Sequence, residues 1–427
     1  MNPMLDVAIN LCEEGSYNEA LEILNKFILE NPDCVPAYIT RADCFMFTQD
    51  YESSLKDLEK ALKLEPKNID YLLRKAKVLS TGMQKPDEAL KVIKKVLRIY
   101  KNSYLAYKEM GHIYLENVKN YKLAVQYFTK AMLYCEDAIE RTEIQIFRAK
   151  AFMKLNIYKF ALWDFDAAEK IIPGDIRLHL GRGYIFADMK RFSEALVEYR
   201  KALEIDTLNF DAICSIIEIY CDTGDFSGLV EFCDDILNLD PGNIYVMCEK
   251  ANAMIMLGYR EEAVKFIEEQ EIYVDEYLHN YISKRAIIYH KAGCYEKSIE
   301  DLEYVNSNIL FEGAYNSQFA MNYFCLGKFR EAEEYFDMVI RDKWDMTYRT
   351  YQYRAECRME LKRFKEAIED LETAKEMNKD DGEIDFLIGQ CYHYLGNMAY
   401  AGINMDSSYK KMYGPAGKWL YEMGILN

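Results

Sequence analysis

The chain is short of the residues that break helices, with only eight prolines and 20 glycines among 427 residues. Apolar residues (50%) and charged residues (29%) are instead mixed at a fine scale, which excludes disorder and argues for helices joined by short turns. No run of eighteen apolar residues occurs, so no membrane span is expected. The first residues, MNPMLDVAINLCEEG, lack the basic and apolar regions of a secretory leader, and a cytoplasmic location is expected. Positive charge is in deficit, with 53 Lys and Arg against 71 Asp and Glu and a net charge of −18, which repels nucleic acid and anionic lipid at long range. Twelve cysteines and five histidines form no C-x-x-C and no H-x-x-x-H, so no metal is expected. Cysteines such as Cys214, Cys233 and Cys325 read as small buried thiols in a reducing compartment. Phosphate loops, nucleophile elbows, zinc-protease helices and dinucleotide turns are all missing, so no enzyme activity and no cofactor are expected.

What the chain does have is a period. GSYNEALEILNKFILENPD (15–33) returns as QDYESSLKDLEKALKLEPKN (49–68) and again as NIYKFALWDFDAAEKIIPGD (156–175). With Ala20 as anchor, a small residue recurs at Ser54, Ala89, Ala124, Ala161, Ala195, Ala263, Ser298, Ala332, Ala367 and Ala401, with Leu229 as the bulky exception. A second small position precedes most anchors, as Ala8, Ala42, Ala76, Gly111, Ala149 and Gly183 do, and an aromatic such as Tyr17, Tyr51, Tyr158 or Phe192 stands three residues before. Two helices of a hairpin can approach closely only where both carry small side chains, and an aromatic then fills the gap at the turn. Ala149 and Ala161 are such a pair. Pro32, Pro66, Pro173 and Pro241 each follow a second helix, where a missing N–H ends it without cost.

A step of about 34 residues with this pattern resembles the tetratricopeptide (TPR) repeat. Twelve copies start near residues 1, 35, 69, 104, 142, 176, 210, 244, 279, 313, 348 and 382. The resemblance implies an all-α, right-handed superhelical solenoid of antiparallel helix pairs, continuous over 1–412, with a C-terminal capping helix at 413–427. In that cap Pro415 starts the helix and Trp419, Leu420 and Met423 share a face. Departures are local: repeats 3 and 4 carry one extra residue at the internal turn, Ile139 to Arg141 are inserted before repeat 5, and Arg260 replaces the aromatic in repeat 8. The first helix starts with Asn2 as N-cap and Pro3 in its first turn. Leu5 and Ile9 sit at positions usually exposed in the family, which points to a contact through the N-terminal edge with a partner or a second copy of the chain.

By the same resemblance, positions 2, 5, 6, 9 and 12 to 13 of each repeat face a concave groove that binds protein segments. The clamp with which the family holds chaperone tails needs lysines and asparagines in three successive repeats. Here Leu5 and Ile9, Thr40 and Asp43, and Cys248 beside Asn252 interrupt it, and no H-P-D tripeptide of a J-domain is present. Groove positions of repeats 3 to 6 instead supply Arg74, Lys77, Lys108, His112, Lys150 and Arg177, with Tyr184 beside them and Asp70, Glu109 and Glu143 opposing. Lys77, His112 and Lys150 share position 9 and form a basic ladder, and Asp211, Glu218 and Glu249 reverse the sign beyond. The expected role is a non-catalytic scaffold that takes a protein or peptide partner carrying an acidic segment and helps to assemble a complex. The alternatives are a co-chaperone adaptor and a structural subunit of a ciliary or transport assembly. The 35 tyrosines, including Tyr114, Tyr199, Tyr220 and Tyr289, are read as packing residues rather than a base-stacking surface.

One stretch, YKFALWDFDAAEKIIPGD (158–175), concentrates acids around Trp163. On a helix Asp164 and Asp166 point roughly 200° apart, so they cannot share an ion. Asp166 is expected to pair with Lys170, while Ala161, Phe165 and Ala168 form the buried stripe.

Overall fold

The computed structural model describes residues 3–270, 275–307, 313–343 and 346–423. Among them every regular element is helical. The chain divides into two compact units, Met1–Ile219 and Tyr220–Asn427. The first contains α1 (Pro3–Glu13), α2 (Tyr17–Glu30), α3 (Val35–Phe47), α4 (Tyr51–Leu64), α5 (Ile69–Lys77), α6 (Pro86–Ile99), α7 (Tyr104–His112), α8 (Tyr121–Tyr134), α9 (Ala138–Lys154), α10 (Tyr158–Glu169), α11 (Ile176–Asp188) and α12 (Phe192–Ile205). Each odd helix and the even helix after it form an antiparallel hairpin, and the second unit repeats the scheme.

Local sequence explains these elements. In α4, YESSLKDLEKALKL, the buried residues Ser54, Asp57, Leu58 and Ala61 recur at helical spacing and leave the other faces to lysines and glutamates. Asp50, Asn68, Ser103, Asn120, Asp137 and Asp175 accept first-turn N–H groups and so start α4, α5, α7, α8, α9 and α11. Every anchor residue, Leu229 included, is exposed by 1% or less. Close approach is visible at Gly183 of α11, where an added Cβ would lie 2.6 Å from the Tyr199 ring. Where serine replaces the anchor alanine, its hydroxyl donates to the facing small residue's carbonyl, Ser54 to Ala42 at 2.8 Å and Ser298 to Ala286 at 2.7 Å. The small side chain thus stays compatible with a buried polar atom.

The insertions take definite forms. The extra residue of repeats 3 and 4 widens the end of α5 and of α7 into π-helical turns, Val78–Gly82 and Ile113–Asn117. The amide of Asn117 donates to the carbonyl of Ser80 at 2.9 Å and ties the two turns together. Ile139 to Arg141 lengthen α9 at its start.

A recurrent buried ion pair joins the two helices of several hairpins. Arg41 with Asp57, Arg148 with Asp164, Arg285 with Asp301 and Arg354 with Asp370 each form a two-pronged bridge between residues 16 apart. Asp164 is therefore a structural acid. Its neighbour Asp166 accepts from Arg182 at 2.9 Å and not from Lys170, because α10 ends at Glu169 and Lys170 falls at the cap, while Arg182 reaches across from α11. The stripe of Ala161, Phe165 and Ala168 is buried as expected.

Other expectations are corrected. Leu5 is buried in the first core instead of exposed, and Ile9 packs partly against that core. Cys12 and Cys44 face each other across the first core with their Cα atoms 6.5 Å apart, within reach of a disulfide. Cys233 is a buried thiol, but Cys325 is exposed because it ends the helix Asn316–Cys325. The C-terminal helix runs Gly414–Glu422 with Pro415 in its first turn; Leu420 is buried and Trp419 packs beside it, whereas Met423 stays exposed. Asn2 and residues 424–427 lie outside the described residues.

Candidate functional site

The predicted groove residues sit on α5, α7, α9 and α11, the first helices of repeats 3 to 6. Most of their charge is already matched. Arg74 bridges Asp70 at 2.8 Å and also Asp43 of the preceding repeat. Lys108 reaches Glu140 at 2.9 Å. Arg177 makes a fork to Glu143 at 2.6 and 2.9 Å and also binds Asp175 at 2.5 Å, the residue that caps α11. That guanidinium, by its hydrogen bonds first, holds the carboxyls of Glu143 and Asp175 below the usual carboxylate range. Tyr184 is exposed on α11 near Tyr158 and Tyr199.

Lys77, His112 and Lys150 remain. Both lysines are exposed. The His112 ring is wedged edge-on against Phe147 at 4.3 Å and Phe128 at 5.3 Å between ring centres. Burial, reinforced by Lys108, Lys77 and Lys150, pushes its pKa down to about 4. The imidazole is therefore neutral at pH 7, and the ladder consists of two cations flanking an uncharged ring rather than three basic groups. Lys150 places its ammonium 5.3 Å from the centre of the Phe147 ring that also packs His112. One turn before His112, burial raises the Glu109 carboxyl against the opposing pull of Lys77 and Lys108. The π-helical turns begin directly after Lys77 and His112, so the residue inserted in each repeat fixes the backbone at both.

A cavity of about 750 Å³ opens on the same face of the first unit. Ile9, Met46, Leu73 and Leu105 supply apolar lining, and Lys77 and Glu109 belong to it. The periodicity placed Glu109 in the groove but did not reveal this cavity, which depends on how successive first helices stack and in which Glu109 is half-buried.

The family model described as Tetratricopeptide repeat matches residues 35–68, 176–207 and 348–381. Each match begins at the first residue, or on the first turn, of a helix pair: α3, α11 and the helix Tyr348–Glu360. The chain carries tetratricopeptide repeats. Among curated proteins, this TPR chain is 24% identical over 194 residues to anaphase-promoting complex subunit 3 of Schizosaccharomyces pombe, covering 45% of this chain and 28% of that protein. It is 25% identical over 207 residues to DnaJ homolog subfamily C member 7 of Mus musculus, covering 46% and 41%. The TPR chain thus spans less than half the length of these relatives. Among solved structures, a tetratricopeptide repeat protein from Parabacteroides merdae is similar at 20% identity and a TM-score of 0.45, over 58% of this chain and 98% of that one. No helix among the described residues is long and apolar enough to cross a membrane.

Proposed function

We propose that this TPR protein is a protein-binding scaffold whose first unit holds a partner segment along α5, α7 and α9. The segment carries carboxylates that meet Lys77 and Lys150. The observation that carries this reading is the surplus of these two exposed lysines in a groove whose other cations are matched by acids of the protein itself. A rigid array orders only the partner on binding, which limits the entropic cost to one side. The likeness to a subunit of the anaphase-promoting complex supports a role in assembling a larger complex, since that protein is by name part of one.

Lys77→Glu with Lys150→Glu tests the site. Both side chains are exposed, so the far-UV circular dichroism should be unchanged while capture of the physiological partner from a lysate, scored by mass spectrometry against wild type, is lost. An identical capture profile refutes the groove reading.

A further inference from the structure

In the second unit the helices Asp275–Ala292, Tyr295–Ser307 and Asn316–Cys325 border a cavity of about 280 Å³. Ile287, Leu302 and Met321 give it an apolar wall, and His290, Ser317 and Gln318 supply uncharged polar groups; among the described residues no charged side chain lines it. A chain of hydrogen bonds fixes how His290 presents itself. The Ala286 carbonyl can only accept, so the Ser298 hydroxyl, 2.7 Å away, donates to it and must itself accept from its other neighbour. The Asn322 amide, 2.8 Å from that hydroxyl, therefore turns its NH2 to Ser298 and its oxygen to His290 Nδ1, at 2.7 Å. Nδ1 must then carry a proton, and in the neutral ring Nε2 is left as an acceptor. Ser298 and Asn322 are both buried, so water does not compete for these bonds. Nε2 has no partner among the described residues.

The occupant follows from that chemistry. Pockets for drug-sized molecules run to about 300–1,000 Å³, so a cavity of about 280 Å³ suits one large side chain rather than a cofactor. A charged side chain would give up its hydration with no counter-charge to meet it, and an aliphatic one would leave Nε2 unpaired. Indole offers a broad apolar ring whose single polar atom is a donor, which matches a pocket whose one oriented polar group is an acceptor. The Met321 thioether would add a sulfur–aromatic contact. We infer that this pocket takes a tryptophan side chain of a protein partner, its indole N–H donated to His290 Nε2. The site lies wholly within the second unit and uses neither Lys77 nor Lys150, so it stands or falls apart from the groove reading proposed above.

The test uses the full chain with isotope-labelled methionine methyl groups at about pH 8, where imidazole is neutral. Titration with N-acetyl-tryptophanamide should shift the Met321 methyl resonance, which is identified by its loss in Met321→Leu. The benzothiophene isostere, in which sulfur replaces the indole N–H, should bind about ten-fold more weakly because it covers Nε2 without pairing it. In His290→Phe the two probes should bind alike. Equal affinities of the two probes for wild type, a comparison independent of any variant's folding, overturn the proposal, as does a difference that persists in His290→Phe. No shift of Met321 at the solubility limit of the amide overturns the pocket as a site. Tighter binding of N-acetyl-tyrosinamide would make the occupant a phenol, and binding of free indole without the amide would make it a free ligand; either overturns the tryptophan assignment. Lys77→Glu with Lys150→Glu should leave all these constants unchanged.

Discussion

The Arg148–Asp164 bridge permits a quantitative test of what the recurrent buried pairs do. The Asp164 side chain is fully buried and the Arg148 side chain 12% exposed, with contacts of 2.6 and 2.9 Å. Burial raises the Asp164 carboxyl above its usual range although Arg148 opposes the shift. A raised carboxylate pKa means that the ionised form is less favourable in the folded chain than in the unfolded one, so at neutral pH the pair does not fully recover its desolvation. Asp164→Ala strands a guanidinium that keeps the Thr129 hydroxyl, at 3.1 Å, as a remaining acceptor. The cost should be about 3–5 kcal/mol, whereas the double replacement Arg148→Met with Asp164→Leu should be neutral or stabilising by up to about 4 kcal/mol. Urea denaturation followed by circular dichroism gives the global values, and hydrogen exchange of α9 and α10 gives the local ones, since repeats lose structure through their nearest neighbours. A cost below about 1 kcal/mol for the single variant, or a double variant as unstable as the single, refutes the reasoning.

Three further outcomes follow from the packing and the charges. Ala161→Tyr should destabilise by about 1–3 kcal/mol through overpacking against Ala149, read as a lower urea midpoint. Buried Asp385 would be raised by desolvation, but contacts from Lys375 at 2.6 Å, Lys411 at 2.7 Å and Ser407 at 2.7 Å outweigh it and hold the carboxyl below its usual range. Its contribution is thus present above the unfolded value of about 3.9 and is lost as pH falls through the folded one. Asp385→Asn should lower the urea midpoint at pH 7 and reduce the fall in midpoint between pH 6 and pH 3.5; an unchanged acid profile would contradict the assignment. After mild oxidation, alkylation of the unfolded, unreduced chain should modify ten cysteines and leave Cys12 and Cys44 blocked until reductant is added, as intact mass will show; twelve modified cysteines would contradict the pairing.

Much of the architecture was legible because it rests on residues that repeat. The small anchors, the paired small positions of the first helices and the fold they imply depend on steric fit at one contact, which every copy of the sequence restates. Serine at positions 54 and 298 obeys the same rule through a hydrogen bond. The π-helical turns were less legible: an extra residue is visible in the sequence, but whether it extends a loop or widens a helix depends on the packing of Val78, Leu79 and Ile113 into the core. The 16-residue Arg–Asp spacing was present in four hairpins and passed unnoticed because each acid, taken alone, looks like surface charge.

The charge map shows the same weakness at longer range. Arg74 and Asp43 are 31 residues apart, Lys108 and Glu140 are 32 apart, and Arg177 and Glu143 are 34 apart. These separations are about one repeat, the distance at which a solenoid brings one first helix against the next. Counting cations along the groove therefore overstates its field unless every acid one repeat away is set against them. Applied to the basic stripe, that rule removes Arg74, Lys108 and Arg177, which bridge such acids, and leaves Lys77 and Lys150 without a bridge, although Glu109, one repeat on, acts on Lys77. On the proposed groove reading, a carboxylate arriving at Lys77 or Lys150 would displace no bridged acid of the protein, whereas at Arg177 it would compete with Glu143 and Asp175 for the same donors.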